Sequence, residues 1–377
     1  MIFTYYYTQV IKIIFFFVIE QCHVGFKLQE IYSTGDNSFP IFVSLTDIND
    51  DNRSDIIVAN QNTHSIGVLF NIQGSYFRER ITYSTGLSYP RYISVVDVNN
   101  DDKPDIIVAN SGGHNVGVIL NKGPDQFDPI KLYGTGHETY PHGVAVADVN
   151  SDKKPDIIVT NGYTNTIGVF LNDGHVEFSS QQLYQVPYGY GTMSPRVVDV
   201  NGDTHPDIIV AHPGGASVGI LFNFGNGTFT NWTTFSTGIE SEPNSVFVAD
   251  VNGDNKPDLI VGNFKASNVG VLLNAGNGKF HNQTIYSTGV DSQPRSVLVV
   301  DINCDNLPDI IVANSDEENI GIFLNFGDGT FQRQMTYPTG SYTKPWSIAV
   351  GNINDDNKPD IVFSDADNDQ IGIFIRS

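Results

Sequence analysis

Seven times along the chain, oxygen-bearing side chains recur at the first, third, fifth and ninth positions of a nine-residue stretch such as DVNGDNKPD. The residues are Asp47, Asn49, Asp51 and Asp55 in 47–55, Asp97, Asn99, Asp101 and Asp105 in 97–105, and Asp148, Asn150, Asp152 and Asp156 in 148–156. They continue with Asp199, Asn201, Asp203 and Asp207 in 199–207, Asp250, Asn252, Asp254 and Asp258 in 250–258, and Asp301, Asn303, Asp305 and Asp309 in 301–309. The last set is Asn352, Asn354, Asp356 and Asp360 in 352–360. Carboxylate and amide oxygens closely spaced on a loop suit a hard cation, and Ca²⁺, which takes about six to eight oxygens, fits better than the strictly octahedral Mg²⁺. An EF-hand is excluded, because its twelfth position needs a bidentate Glu and here holds Val58, Val108, Val159, Val210, Val261, Val312 or Phe363. The alternative is a metal-free role, with Asp and Asn bonding their own backbone in Asx-turns.

The acidic loops also account for much of the composition. The 377 residues carry 42 acidic against 20 basic side chains, a formal charge of −22, and nearly half of the acids sit at these ligand positions. Such a charge argues against nucleic acid and against an anionic membrane face. Residues 1–24 contain an apolar run from Val10 to Ile19 broken by Lys12, short for a spanning helix and of the length of a signal-peptide core. Secretion to the extracellular space is therefore expected, with a signal anchor as the alternative and no membrane insertion of the rest. The two cysteines, Cys22 and Cys304, fit neither a zinc site nor a disulfide framework.

The loops must be held by a repeating element. Each unit of about 51 residues runs through β-branched stretches such as SVFVAD, PDLIVGN and VGVLLN, then a Gly-rich NxGxGxF turn and a stretch such as TIYSTG. The runs are short and bounded by Gly, Asn, Pro and Asp, without helical periodicity, which predicts four antiparallel strands per unit. Seven such units predict an all-β, seven-bladed β-propeller over 26–377. The phase of the ends adds to this: FKLQEIYS from Phe26 matches a fourth strand, and IGIFIRS at 371–377 matches a third. Strand 26–33 is thus expected to complete the last blade and close the ring, removing two free sheet edges.

The repeated D-[VI]-N-x-D-x-x-P-D loop followed by a run such as DIIVAN resembles FG-GAP or VCBS repeats, the family that also builds the integrin α-subunit propeller. The resemblance implies calcium in each loop, held in the fifth copy by Asp250, Asn252, Asp254, the carbonyl of Lys256, and Asp258. Family members favour glycine at the sixth position, where this chain has Asn52, Asp102, Lys153, Thr204, Asn255, Asn306 and Asn357. β-Branched Thr204 tolerates positive φ poorly, so the fourth loop is expected to bind less well, the third loop somewhat less well because of Lys153, and the seventh weakly because Asn352 removes a charge.

In a four-stranded blade the acidic loops and NxGxGxF turns share one face, and the second-to-third links and YSTGxxxxP connectors share the other. Just after the connector proline stand Ile41, Arg91, His142, Asn244, Arg295 and Trp346, expected around the channel mouth. In the fourth unit Pro195 falls where the inner strand should start. A varied polar and aromatic ring on a constant frame suits a binding face for a glycan or an extracellular protein, the other reading being drift in exposed loops. Tyr89, Tyr140, Tyr188, Tyr190, Tyr342 and Trp346 are candidates to stack on sugars. Asn60, Asn110, Asn161, Asn263 and Asn314 offer amides, although a turn-forming role explains them as well. Catalysis finds little support, since no HExxH or P-loop motif is present. His137, Glu138 and His142 in GHETYPH are the candidates for a polysaccharide lyase or hydrolase site, and a purely structural scaffold is the third reading.

Overall fold

A computed structural model describes residues 24–78, 80–187, 191 and 193–376; the leader, Tyr188 and Tyr190 lie outside the described residues. Seven four-stranded antiparallel sheets follow one another. In the fifth, Pro243–Ala249, Asp258–Asn263, Asn268–Leu272 and Thr284–Ser287 run from the innermost strand outward. The seventh consists of Pro345–Gly351, Asp360–Asp365, Gln370–Arg376 and, as its outer strand, Phe26–Ser33. That outer strand pairs Phe26 with Arg376 and Ser33 with Gln370, with a bulge between Leu28 and Glu30. The expected closure is present, and the edge of the last blade is covered.

The second strand of every blade is buried along its full length, which is why DIIVAN-type runs show no polar alternation. Their side chains fill the space between neighbouring sheets: Ile57, Ala59 and Ile66 of the first blade pack with Ile93, Ile106 and Val108 of the second. The same packing joins the ends of the ring, where Val43, Ile56 and Val58 meet Ile353, Val362 and Ile371. Burying each such side chain contributes about 1.5–3 kcal/mol, so every inter-blade seam holds the circle.

Two local devices shape the face opposite the acidic loops. In the connectors a hydroxyl pair closes the turn, as between Thr135 and Thr139 (2.6 Å) or Thr288 and Ser292 (2.6 Å). Each innermost strand then opens with a register shift, for example between Pro90 and Tyr92, Pro243 and Ser245, and Pro294 and Ser296. A bulge bends its strand and re-aims the extra residue. In six blades the extra residue is one of Ile41, Arg91, His142, Asn244, Arg295 and Trp346. In the fourth, Pro195 sits inside the inner strand Met193–Val198, within a shift between Met193 and Arg196.

Candidate functional site

On one face, each acidic loop is folded by its own carboxylates. Asp47 Oδ1 accepts the Asp51 N–H (3.0 Å) and Oδ2 the Asn52 N–H (2.7 Å), and the first Asp of the next five loops does the same. In the seventh loop the Oδ1 of Asn352 is buried without a partner. The ninth-position Asp is fully buried in every loop. Asp258 Oδ2 accepts the Val251 N–H (3.0 Å) and Oδ1 the Asn274 N–H (2.7 Å), tying loop to Gly-rich turn. Burial pushes Asp55, Asp105, Asp156, Asp207 and Asp258 up to about 6 and Asp309 up to about 7; the backbone donors oppose the rise, and the fifth- and first-position carboxylates add to it.

In the sequence the asparagine opening the NxGxGxF turn has only the character of a hairpin residue, yet it joins adjacent blades. Asn274 Nδ2 donates to Pro257 O in its own loop and to Val200 O in the preceding loop, both at 2.9 Å. Asn71, Asn121, Asn172, Asn223 and Asn325 reach back in the same way. At the ring closure Arg376 takes this role, donating to Asn303 O (3.0 Å) and Cys304 Sγ (2.9 Å). The seven loops are thereby mechanically coupled.

The donor set fits a hard cation, and its fit varies between loops. Arg53, Lys103, Lys154 and Lys256 at the seventh position pair with the fifth-position Asp at 2.6, 3.4, 3.8 and 2.9 Å. The sixth loop has Leu307 there instead, and Asp301, Asp305 and Asp309 offer oxygens within 4.8 Å of one another. The sixth position is left-handed in all seven loops, from φ 61° at Asn357 to φ 73° at Thr204, so the threonine adopts the expected strained conformation. The fourth position is left-handed too, at Asp50, Asn100, Ser151, Gly202, Gly253, Cys304 and Asp355, which the motif alone does not reveal.

On the opposite face the bulged ring residues converge. Arg91, His142, Asn244 and Arg295, with Tyr140, Tyr163 and Phe264, line a cavity of about 570 Å³ at the mouth of the axial channel. Trp346 lies in the channel wall beside them. The Arg295 guanidinium lies over the Trp346 ring at 3.9 Å and the Phe264 ring at 4.8 Å, and its Nε donates to Ser315 Oγ (3.2 Å). Asn244 Nδ2 donates to Arg295 O (3.0 Å). Ile41 is buried in the channel wall. Arg196 crosses the channel to Tyr92 OH (3.0 Å) and also donates to Val246 O, forming a floor.

The other candidates are distributed unevenly. Tyr140 packs edge-on to His114 and Tyr163, and Tyr163 is exposed. Tyr89 packs on His64, and Tyr342 is exposed; neither lines the mouth. Asn60, Asn110, Asn161, Asn263 and Asn314 are fully buried, so their amides are closed to a glycan. Those of Asn110, Asn263 and Asn314 bond the Asn five residues on. His137 lies beside Glu138 (3.8 Å) and is almost fully exposed, while Glu138 and His142 both line the cavity.

The FG-GAP-like repeat pattern matches residues 47–108, 97–159, 148–210, 199–261, 250–312 and 303–363. No curated protein matches the chain in sequence. Among solved structures, virginiamycin B lyase from Staphylococcus aureus superposes with a TM-score of 0.66 at 16% identity, over 94% of this chain and 100% of the lyase. An Agrocybe aegerita lectin recognising non-reducing terminal N-acetylglucosamine gives 0.57 at 21% identity, over 78% of this chain and 79% of the lectin. BBS1N from its complex with ARL6DN gives 0.62 at 13% identity, over 93% and 97%. At these identities the likeness is one of fold.

Proposed function

Because this chain belongs to the FG-GAP-like repeat family, whose fold leaves the ligand open, we propose that it is a calcium-stiffened, extracellular ligand-binding module that takes a glycan at the axial mouth opposite its acidic loops. The observation carrying this reading is the cavity of about 570 Å³ where bulges in separate blades aim unlike side chains at one point. Tyr140, Tyr163 and Phe264 supply ring faces for stacking, and Asn244, His142 and Arg91 supply polar contacts, the mixture expected of a small-ligand site. A lectin and a protein-binding propeller among the similar folds make such a role reasonable for the scaffold.

Calcium in this reading is structural. It would sit among the first, third, fifth and ninth side chains of the loops, best in the sixth, where no cationic side chain competes, and least well in the seventh. The inter-blade asparagines would carry its stiffening round the ring. The ligand is bound and released unchanged. A glycan array in millimolar calcium, repeated with Tyr163→Ala protein, tests the reading: capture of a defined glycan class, lost in the variant, is expected. Equal capture by both proteins, or conversion of the captured glycan, would remove it.

A further inference from the structure

The chain is strongly acidic, yet its axial channel is lined by three arginines, Arg91, Arg196 and Arg295, and among the described residues by no Asp or Glu below the mouth, where Glu138 and Glu242 join the lining. Arg196 is committed to the floor through Tyr92 and Val246. Arg91 and Arg295 come from the second and sixth blades, on opposite sides of the axis, and both line the mouth cavity. Among the described residues Arg91 makes no hydrogen bond or ion pair, and desolvation lowers its affinity for its proton. Arg295 is lowered as well, first by desolvation and further by Arg91, with Asp316 and Asp367 opposing the shift. Two desolvated like charges facing one cavity are costly unless an anion joins them.

No nearby acid forms an ion pair with either arginine among the described residues. Glu138 and Glu242 also line the mouth cavity, but both are about half exposed, Glu242 pairing with Lys265 (3.4 Å) and Glu138 lying 3.8 Å from His137, and Asp316 pairs with Lys344 (3.6 Å). The Trp346 indole N–H, in the same wall, also lacks a partner. The Arg295 guanidinium is held between Phe264 and Trp346, so its donors are fixed before any ligand arrives, as bidentate oxyanion recognition requires.

We propose that Arg91 and Arg295 form an oxyanion site at the axial mouth that takes the carboxylate of an acidic sugar, whose ring rests against the aromatic wall. This rests on the glycan reading above and specifies its chemistry. The test is calorimetric titration of the full chain in millimolar calcium with galacturonate, with the neutral analogue galactose and with inorganic sulfate. Galacturonate is expected to bind at one site, galactose at least tenfold more weakly, and sulfate to compete with galacturonate. Charged hydrogen bonds of about 1.5–3 kcal/mol correspond to about ten- to hundredfold in affinity, so Arg91→Gln and Arg295→Gln should each weaken galacturonate by at least tenfold. Arg78→Gln, on the far face in a pair with Asp125, should leave it unchanged. Arg91 has no internal bond to lose, so its variant reports binding even if the Arg295 variant fails to fold. Equal binding of galactose and galacturonate, or an Arg91→Gln protein that binds as tightly as wild type, would overturn the anion site while leaving a glycan-binding face intact. Sulfate binding that needs both arginines, with every sugar rejected, would keep the anion site and overturn its sugar occupant together with the glycan reading. Binding of neither galacturonate nor sulfate would overturn the site itself.

Discussion

Replacing Asn274 by alanine removes the clamp between the fourth and fifth acidic loops. The side chain is 3% exposed; it donates to Val200 O and Pro257 O and accepts the Gly276 N–H at 2.8 Å. Each lost bond is worth about 1 kcal/mol net, and a buried carbonyl left without a donor costs about 1–3 kcal/mol. Some of these groups can find water at the loop surface, so a total near 3 kcal/mol is expected. With an unfolding entropy of about 2.1 cal/mol/K per residue over about 350 residues, that loss lowers Tm by about 4 °C. Differential scanning calorimetry of the cation-free protein reads this directly, with Asn231→Ala, exposed on the adjacent blade, expected within about 0.5 kcal/mol of wild type. A drop no larger than that of the Asn231 control would refute the claim that these asparagines join the blades.

Other perturbations probe separate steps. Thr204→Gly should raise Tm, because threonine at φ 73° costs about 1–2 kcal/mol that glycine avoids; a fall would show the position is not strained. Six of the ninth-position aspartates, with folded values of about 6 to 7, bind more protons folded than unfolded above about pH 4. Stability of the cation-free protein therefore rises as pH is lowered from about 7.5 to about 5, the gain being complete below the unfolded value. Calcium favours the charged carboxylates, so its stabilisation shrinks over the same window. Melting curves with calcium and with chelator check both signs, and a cation-free Tm that falls on acidification contradicts them. Gly219→Ala should destabilise strongly, since a Cβ there would lie 1.6 Å from the Trp232 ring; wild-type melting would show that the ring is free to move aside.

The parts of this molecule legible in its sequence are those fixed by repetition. Seven evenly spaced loops and the phase of the FKLQEIYS and IGIFIRS segments determine blade number and closure, because both follow from strand pairing. The ring from Ile41 to Trp346 was legible as a position, one residue after each connector proline. Its convergence was not, since the aim of Arg91 and Arg295 comes from bulges that a strand pattern does not encode. Asn274 and its counterparts have the composition of turn residues, and only the neighbouring blade reveals their second bond. Asn110 and its equivalents were ambiguous for the same reason: an Asn beginning a link is the same letter whether its amide is buried or open.

The claim that the ligand seats at the axial mouth is tested most directly by Trp346 fluorescence. The chain has two tryptophans, and the buried Trp232 indole N–H has no hydrogen-bond partner, so Trp232→Phe sacrifices little and leaves Trp346 as the reporter. Titrating that protein with a glycan captured on the array should change the Trp346 emission saturably, with a midpoint matching the calorimetric affinity. Tight binding with no change in Trp346 emission would put the ligand elsewhere on the ring and contradict the account.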